Sequence, residues 1–250
     1  MAFDGITVGC IASELSRMLE GGRVDKIYMP DSDSIVMAVR SQGSNYKVFL
    51  SCNPSIPRVH LTTASRENPM TPPTFCMLLR KHLSGGRLIK VSQPGIERVI
   101  EFEIETRTEM GDITTFRLIT EIMGRHSNII LVNAEGRISD CVRRVDGSIS
   151  SVRMVLPGME YSSPPPQNKI SPYNTYLQEI TDILFECPNE MKTDKYILDK
   201  FAGLSPMTAR EFVARGSGET DAVYMELSRT QVLRIAEEMN KVFGEIKEGR

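Results

Sequence analysis

The sequence predicts an α+β fold in which a β-rich domain containing two helices precedes a small all-α domain. Three observations lead to this prediction. Short, turn-bounded runs with alternating apolar and polar residues extend to residue 143, two helical segments interrupt them, and a helical pattern begins at residue 172. A proline-rich segment at residues 161–172 separates the two patterns. We therefore expect domains at residues 1–170 and 171–250.

Both helices of the first domain are predicted from apolar spacing and from their ends. The first covers residues 11–21, where the pair Gly21 and Gly22 ends it. The second covers residues 72–83, with Thr71 as N-cap, Pro72 in the first turn and a Gly-Gly pair after the last residue. The sequence suggests no internal repeat.

The strands of the first domain are expected in two groups, which together favour an antiparallel sheet. Residues 98–106 alternate apolar and acidic side chains, a pattern typical of a strand with one buried and one solvated face. The predicted strands are 23–29, 34–40 and 46–51, then 87–92, 98–106, 114–122, 127–132 and 138–143.

The second domain contains a short motif similar to a helix-hairpin-helix. Helices are predicted at residues 172–185, 193–201, 206–215 and 219–247. Gly203, Leu204 and Ser205 form the turn, and the free N–H groups at the start of the next helix would bind a phosphate. Pro206 removes one of these donors, so a purely structural helical hairpin is the alternative.

Composition excludes several classes of function. The five cysteines are widely spaced and form no Cys-x-x-Cys pair, and the three histidines lie far apart, so we expect neither a disulfide framework nor a metal site. No cofactor motif or catalytic triad is visible, which predicts a non-catalytic protein without cofactors. No signal peptide or apolar stretch of membrane-spanning length is apparent, so we expect a cytoplasmic protein with no membrane contact.

One long stretch of the chain carries basic residues and no acidic ones. Between Asn68 and Ile96, the cationic or potentially cationic side chains are Arg80, Lys81, His82, Arg87 and Lys90. This stretch predicts either a solvated surface or a face that binds a polyanion, although the formal net charge of the whole chain is −2.

The segment from Glu121 to Leu131 contains a polar run between two apolar strands. In a hairpin turn, Gly124 and Asn128 would supply positive-φ positions. A turn has no need for the adjacent cationic-capable side chains of Arg125 and His126, which are therefore candidate binding residues.

This run, together with Phe3-Asp4-Gly5 and the segment 95–98, resembles the NFACT-N domain of the RqcH/NEMF/FbpA family. The resemblance implies a fold like the N-terminal domain of formamidopyrimidine DNA glycosylases, followed by a helix-hairpin-helix. It also implies that the family's coiled coil and NFACT-R domain are missing from this chain. Met1 and Ala2 replace the N-terminal proline nucleophile of the glycosylases, so glycosylase chemistry is not expected.

The resemblance implies a role in ribosome quality control. Family members bind large ribosomal subunits that carry peptidyl-tRNA and recruit aminoacyl-tRNA for untemplated tailing of the stalled chain, with alanine in bacteria. The implied tRNA-binding and tailing residues are Asp4, Glu97, Arg98, Glu121, Ile122, Met123, Arg125 and His126. Glu97 stands where the family has Asp, one methylene shorter.

The same family implies a second class of function, since bacterial relatives are labelled fibronectin- or fibrinogen-binding. An adhesion protein would normally carry a secretion signal or extracellular disulfides. Neither is visible in this sequence, so adhesion is the alternative rather than the leading hypothesis.

Overall fold

The computed structural model describes residues 3–248, so Met1 and Ala2, which bear on glycosylase chemistry, lie outside the described residues. The chain divides into two compact units. The sheet unit contains Ile11–Pro94 and Arg98–Pro166, and the helical unit contains residues 3–10, Gly95–Glu97 and residues 167–248. The prediction of separately folding domains at 1–170 and 171–250 concerns folding autonomy and stays a prediction.

A nine-stranded antiparallel sheet forms the sheet unit and confirms the predicted α+β class. Its spatial order is β4-β3-β2-β1-β5-β6-β7-β8-β9. The strands are β1 Arg23–Asp31, β2 Ser34–Ser41, β3 Ser44–Ser51, β4 Arg58–Leu61, β5 Arg87–Ser92, β6 Val99–Arg107, β7 Ile113–Glu121, β8 Asn128–Val132 and β9 Ile138–Cys141. Strand β4, which pairs with β3, was not predicted because its four residues are too short to show a period.

The alternation predicted for β6 is confirmed. Phe102 and Ile104 are fully buried, whereas Glu101, Glu103 and Glu105 between and beside them are only partly buried. The strand therefore turns a row of carboxylates to one face and packs its apolar side chains on the other.

Two helices belong to the β-rich part of the chain, α1 at Gly5–Leu19 and α2 at Thr74–Leu83. Helix α1 begins six residues before the predicted start, because the Asp4 carboxylate accepts a hydrogen bond from the Thr7 amide at 2.9 Å and caps it. The predicted cap of α2 was wrong. The N-cap is Pro73, without a side-chain hydrogen bond, since the two consecutive prolines displace the helix start to Thr74.

The expectation of no internal repeat was also wrong. Each helix is followed by the end of a Leu-x-Gly-Gly-Arg segment that continues into a strand, at residues 19–23 and again at residues 83–87. Both halves then form an antiparallel meander, and their first strands, β1 and β5, pair at the centre of the sheet. The repeat escapes detection because four matching positions carry little signal unless the topology shows that they are equivalent.

Helices α3 Leu177–Phe185, α4 Thr193–Lys200, α5 Pro206–Ser217 and α6 Arg229–Lys247 form the remainder of the helical unit. The two longest predicted helices are interrupted by 3₁₀ turns at Pro172–Asn174 and Tyr224–Glu226. Helix α6 begins only at Arg229, because Ser228 and Gln231 form a capping box. Whether α4 and α5 constitute a phosphate-binding helix-hairpin-helix stays a prediction.

Two structural features of residues 3–248 bear on function. No helix there is long and apolar enough to cross a membrane. No group of three or more His, Cys, Asp or Glu side chains in that range could hold a metal ion.

Candidate functional site

The polar run between β7 and β8 forms a tight hairpin with a rigid tip. Gly124 has φ +58° and begins a 3₁₀ turn that ends at His126. The Ser127 hydroxyl accepts a hydrogen bond from the Met123 amide at 2.8 Å and closes the turn. Positive φ was expected at Asn128 as well, but that prediction was wrong, because Asn128 is the first residue of β8 and extends the ladder.

Glu121 and Asn128 are direct cross-strand partners at the base of this hairpin. Both are almost fully buried, with exposed fractions of 1% and 3%. Buried polar side chains need hydrogen-bond partners, and each of these two finds them in the segment that follows β9. We call Glu121 and Asn128 the two anchors.

The Glu121 anchor holds an arginine and a tyrosine. Both oxygens of its carboxylate accept hydrogen bonds from Arg153, at 3.0 and 2.7 Å, and the Tyr161 hydroxyl donates to it at 3.0 Å. The Arg153 guanidinium also lies 5.2 Å from the Tyr161 ring centroid. Burial, and next the Glu121 charge, raise the pKa of Tyr161, which keeps this hydroxyl a donor.

The Asn128 anchor holds a stretch of backbone. Its Nδ2 donates to the Arg143 carbonyl at 2.7 Å, and its Oδ1 accepts from the Arg143 amide at 2.9 Å. Just beyond the end of β9, the Asn128 side chain thereby supplies the hydrogen-bond partners that the backbone of a neighbouring strand would otherwise supply. The Arg143 guanidinium forms an ion pair with Asp33 at 3.1 Å, so both its backbone and its side chain are held.

A cavity of about 800 Å³ opens beside the two anchors, and we call it the arginine cleft. Five arginines and one histidine line it, together with apolar side chains. The cationic residues are Arg98, Arg125, Arg143, Arg144 and Arg153 with His126, and the apolar ones include Met123, Ile149 and Val152. Among the described residues that line the cleft, Glu121 is the one acid, and its charge is already paired with Arg153.

The cleft brings together five of the predicted site residues: Arg98, Glu121, Met123, Arg125 and His126. Arg125 donates through Nε to Nε2 of His126 at 3.0 Å, so these neighbours form one polar unit. Ile122 is buried with an exposed fraction of 1%, and its amide donates to the Arg98 carbonyl at 2.8 Å. It therefore supports the base of the cleft rather than its surface.

Asp4 lies in the helical unit, caps α1 and contacts the first turn of α5, whose own N-cap is Ser205. One carboxylate oxygen accepts from the Thr7 amide and hydroxyl in α1, and the other accepts from the Thr208 hydroxyl in α5. Thr208 also donates through its amide to Ser205, the N-cap of α5. A carboxylate at two helix N-termini is favoured by both helix dipoles.

The turn before α5 packs closely against two other segments of the helical unit. The Gly203 carbonyl accepts from the Gly5 amide at 2.7 Å. Gly203 has φ +75°, and a Cβ there would lie 2.2 Å from the Ile96 side chain. This contact fixes the loop that continues into Glu97, while Leu204 packs against the core of the helical unit.

Sequence reasoning missed Arg143, Arg144, Arg153 and Tyr161. The signal available was a second local excess of arginine after β9, with Arg143 and Arg144 adjacent. The sequence instead offered the acid-free stretch as a candidate polyanion-binding face. In the structure, other segments place acidic side chains beside it. Lys81 pairs with Glu109 at 3.3 Å, and the β5–β6 register sets Lys90 opposite Glu103.

Comparison with known proteins places this architecture in a family. The chain belongs to the family of NFACT N-terminal and middle domains, whose model matches residues 4–250. This finding confirms the resemblance seen in the sequence.

The chain is 45% identical over 217 residues to the Rqc2 homolog RqcH of Bacillus subtilis, which covers 86% of this chain and 38% of the relative. It is 37% identical over 212 residues to RqcH of Streptococcus suis, covering 84% and 38%. The chain thus spans 38% of the length of these relatives. The human ribosome quality control complex subunit NEMF is 31% identical over 141 residues, covering 56% of this chain and 12% of NEMF.

Two solved structures share the fold. The N-terminal part of the fibronectin/fibrinogen-binding protein from Streptococcus suis matches with a TM-score of 0.81 at 34% identity, covering 93% of this chain and 83% of that one. The fibrinogen-binding protein from Staphylococcus aureus matches with a TM-score of 0.80 at 33% identity, covering 99% and 83%.

Proposed function

We propose that this chain is the N-terminal tRNA-binding part of a ribosome quality-control factor and that tRNA binds in the arginine cleft. The observation that carries the proposal is the convergence of five arginines on one cavity whose lining acid is already paired. Guanidinium groups bind phosphate through two parallel hydrogen bonds, so such a cavity suits a nucleic-acid backbone. The names of the RqcH and NEMF relatives support the ribosomal setting.

The anchors explain how the cleft could bind with little reorganisation. Arg153 and the backbone of Arg143 are held in place before any ligand arrives. Side chains that are already ordered lose less conformational entropy on binding. In this proposal Glu121 and Asn128 do not touch RNA; they position the arginines, and Met123, Arg125 and His126 at the hairpin tip make contact.

We propose further that the whole protein binds large ribosomal subunits carrying peptidyl-tRNA and recruits aminoacyl-tRNA for untemplated tailing, with alanine in bacteria. Such a protein would act in the cytoplasm, associated with ribosomes, and would itself catalyse no reaction. Glu97 and Arg98 would serve tailing, because they match the family's acidic–arginine pair, and Asp4 would support them structurally. Gly203, Leu204 and Ser205 are a possible second phosphate contact.

The central test measures tRNA affinity of the 250-residue chain. The double variant R125Q/R144Q removes two cations from the cleft without touching an anchor. We expect weaker tRNA binding and a shallower salt dependence, by about one unit of slope per lost phosphate contact. R234Q/K241Q, two exposed cations of α6, is the matched control. Equal affinity for all three proteins would contradict the proposal.

Tailing is tested in the full-length protein. The variant E97A/R98A should abolish untemplated tailing and leave association with large subunits largely intact, whereas Glu97→Asp should retain tailing. Normal tailing in the double variant would remove both residues from the proposed site.

Adhesion is the second candidate function, since the proteins in both matching structures are named for fibronectin or fibrinogen binding. It predicts saturable binding of the chain to immobilised fibronectin that R125Q/R144Q leaves unchanged. Locating the native protein on ribosomes or outside the cell separates the two functions.

A further inference from the structure

A second group of arginines lies on the sheet unit, among residues that line no part of the arginine cleft. Arg40 on β2, Arg23 on β1 and Arg87 on β5 are successive cross-strand partners. We call these three residues the arginine row. All three side chains are exposed, and because cross-strand partners point to the same face, the row forms one surface.

The internal repeat of the fold creates the centre of this row. Arg23 and Arg87 are the equivalent last residues of the two Leu-x-Gly-Gly-Arg segments, and the backbone hydrogen bonds around them come in symmetric pairs. These bonds join Gly21 N to Leu88 O and Gly85 N to Val24 O, at 2.8 and 2.7 Å, then Val24 N to Gly86 O and Leu88 N to Gly22 O, at 2.9 and 2.8 Å.

In this arrangement Arg23 and Arg87 are flanked by hydrogen bonds but exchange none with each other. Such non-hydrogen-bonded pairs bring opposing side chains closer than the alternative pairing does. The repeat therefore sets two arginines side by side at the point where the halves of the sheet meet.

The guanidinium groups of the row have no counterion of their own. Within residues 3–248, no hydrogen bond or ion pair engages the side chains of Arg23, Arg40 or Arg87. Two acids are near: Glu105 is the cross-strand partner of Arg87, and Asp25 lies on the β-bulge of β1. The row therefore has three adjacent cations and two nearby acids, and no ion pair joins the cations to these acids.

A cavity of about 410 Å³ extends the positive surface, since the three arginines Arg23, Arg87 and Arg107 line it against one acid, Glu105. Like charges directly opposite each other in a sheet are destabilising, so the row costs stability unless an anion neutralises it. No aromatic side chain takes part in the row, which continues into Asn45 at one end and Glu105 at the other. A single-stranded ligand would use aromatic platforms for its bases, so the row suits a phosphate backbone read without regard to sequence.

We propose that the arginine row is a second RNA-binding surface, which binds the phosphodiester backbone of double-helical RNA. This proposal rests on the proposed function only in that both take RNA as the partner. The arginine cleft would bind tRNA, whereas the row would add sequence-independent attachment to a helical segment of the same or another RNA.

The test uses the 250-residue chain and a blunt, fluorescent RNA duplex of about 16 base pairs, a length that a protein can contact across neighbouring grooves. Anisotropy is measured over a range of salt concentrations. R23Q/R87Q should weaken duplex binding and reduce the slope of log affinity against log salt by about 2, since each phosphate contact contributes about 0.9. R23K/R87K keeps the charges and should keep most of the slope.

Two controls keep the outcome specific. R234Q/K241Q removes the same charge elsewhere and should leave the slope close to that of the parent protein, and R125Q/R144Q should affect tRNA more than the duplex. Thermal denaturation verifies that R23Q/R87Q is folded.

Three results would overturn the proposal: no duplex binding by the parent chain, an unchanged slope in R23Q/R87Q, or a loss equal to that in R234Q/K241Q. Row-dependent binding of polyglutamate without binding of the duplex would also overturn it and indicate an acidic protein partner. If R125Q/R144Q still weakens tRNA binding, the proposal that tRNA binds in the arginine cleft stands whichever of these results is found.

Discussion

The arginine cleft and the arginine row both bring positive charges together, but they differ in whether these charges have partners within the protein. In the cleft, Glu121 neutralises Arg153, Asp33 pairs with Arg143, and Asn128 fixes the backbone. In the row, neighbouring arginines face one another with no ion pair among the described residues. The difference teaches that the cations of the cleft have partners within the fold, whereas those of the row repel one another and have the RNA ligand proposed above as their partner.

We expect the free energy of unfolding to fall when an anchor is removed, and to stay unchanged or rise when a cation of the row is removed. Loss of an anchor leaves its buried partner without a hydrogen bond, which costs stability. Loss of a cation from the row relieves repulsion.

The largest effect is expected at Glu121. Glu121→Ala leaves Arg153, whose side chain is 13% exposed, without its carboxylate, and removing one partner of a buried ion pair costs about 3 kcal/mol or more. Urea denaturation measures the free energy of unfolding. The double variant E121A/R153A should be less destabilised than the sum of the single variants, since the two groups are coupled. Simple additivity would show that Glu121 does not hold Arg153.

A smaller loss is expected at Asn128. Asn128→Ala removes both side-chain hydrogen bonds to the Arg143 backbone and leaves buried groups unpaired, at a cost of about 2 kcal/mol. The variant should also bind tRNA more weakly, because Arg143 and Arg144 lose their support. The matched control is Asn45→Ala at an exposed position of β3, which should change stability by about 0.5 kcal/mol or less. Equal effects of the two substitutions would deny Asn128 its anchoring role.

The smallest effect, and the one of opposite sign, is expected in the row. R23Q/R87Q should leave the free energy of unfolding unchanged or raise it by about 0.5 kcal/mol at low salt, because two opposing cations are removed. Added salt should diminish the difference between variant and parent by screening the repulsion. Marked destabilisation would mean that these arginines have structural partners, and the contrast between cleft and row would then fail.

Most of the secondary structure followed from local pattern. The strand β5 was predicted at its observed bounds, and β6 and β7 to within one residue at each end, because alternation and glycine turns are short-range signals. The errors fall where a distant residue decides the outcome. Helix α1 begins at Gly5 because Asp4 caps it, and Asp4 is itself held by Thr208 in α5.

The candidate site was predictable at the β7–β8 hairpin and at Arg98. Arg125 and His126 stood out because a turn has no use for them, and five of the predicted residues do line the arginine cleft. Arg143, Arg144 and Arg153 could not be assigned to it, since the hydrogen bonds that bring them there span 15 to 32 positions along the chain. The expected role of Glu121 at an RNA interface stays a prediction, and the structure adds that its carboxylate is engaged by Arg153 and Tyr161.

The sequence by itself therefore determined the α+β class, most element bounds, the polar hairpin and the family, all of which depend on residues close together in the chain. Tertiary structure decided which charges meet across the sheet, although pairs such as Arg144 with Asp140 are local. The acid-free stretch meets glutamates from other strands, while the two Gly-Gly-Arg segments, 64 positions apart, bring Arg23 and Arg87 together. Charge interacts through space, and only the register of the sheet converts positions in the chain into distances.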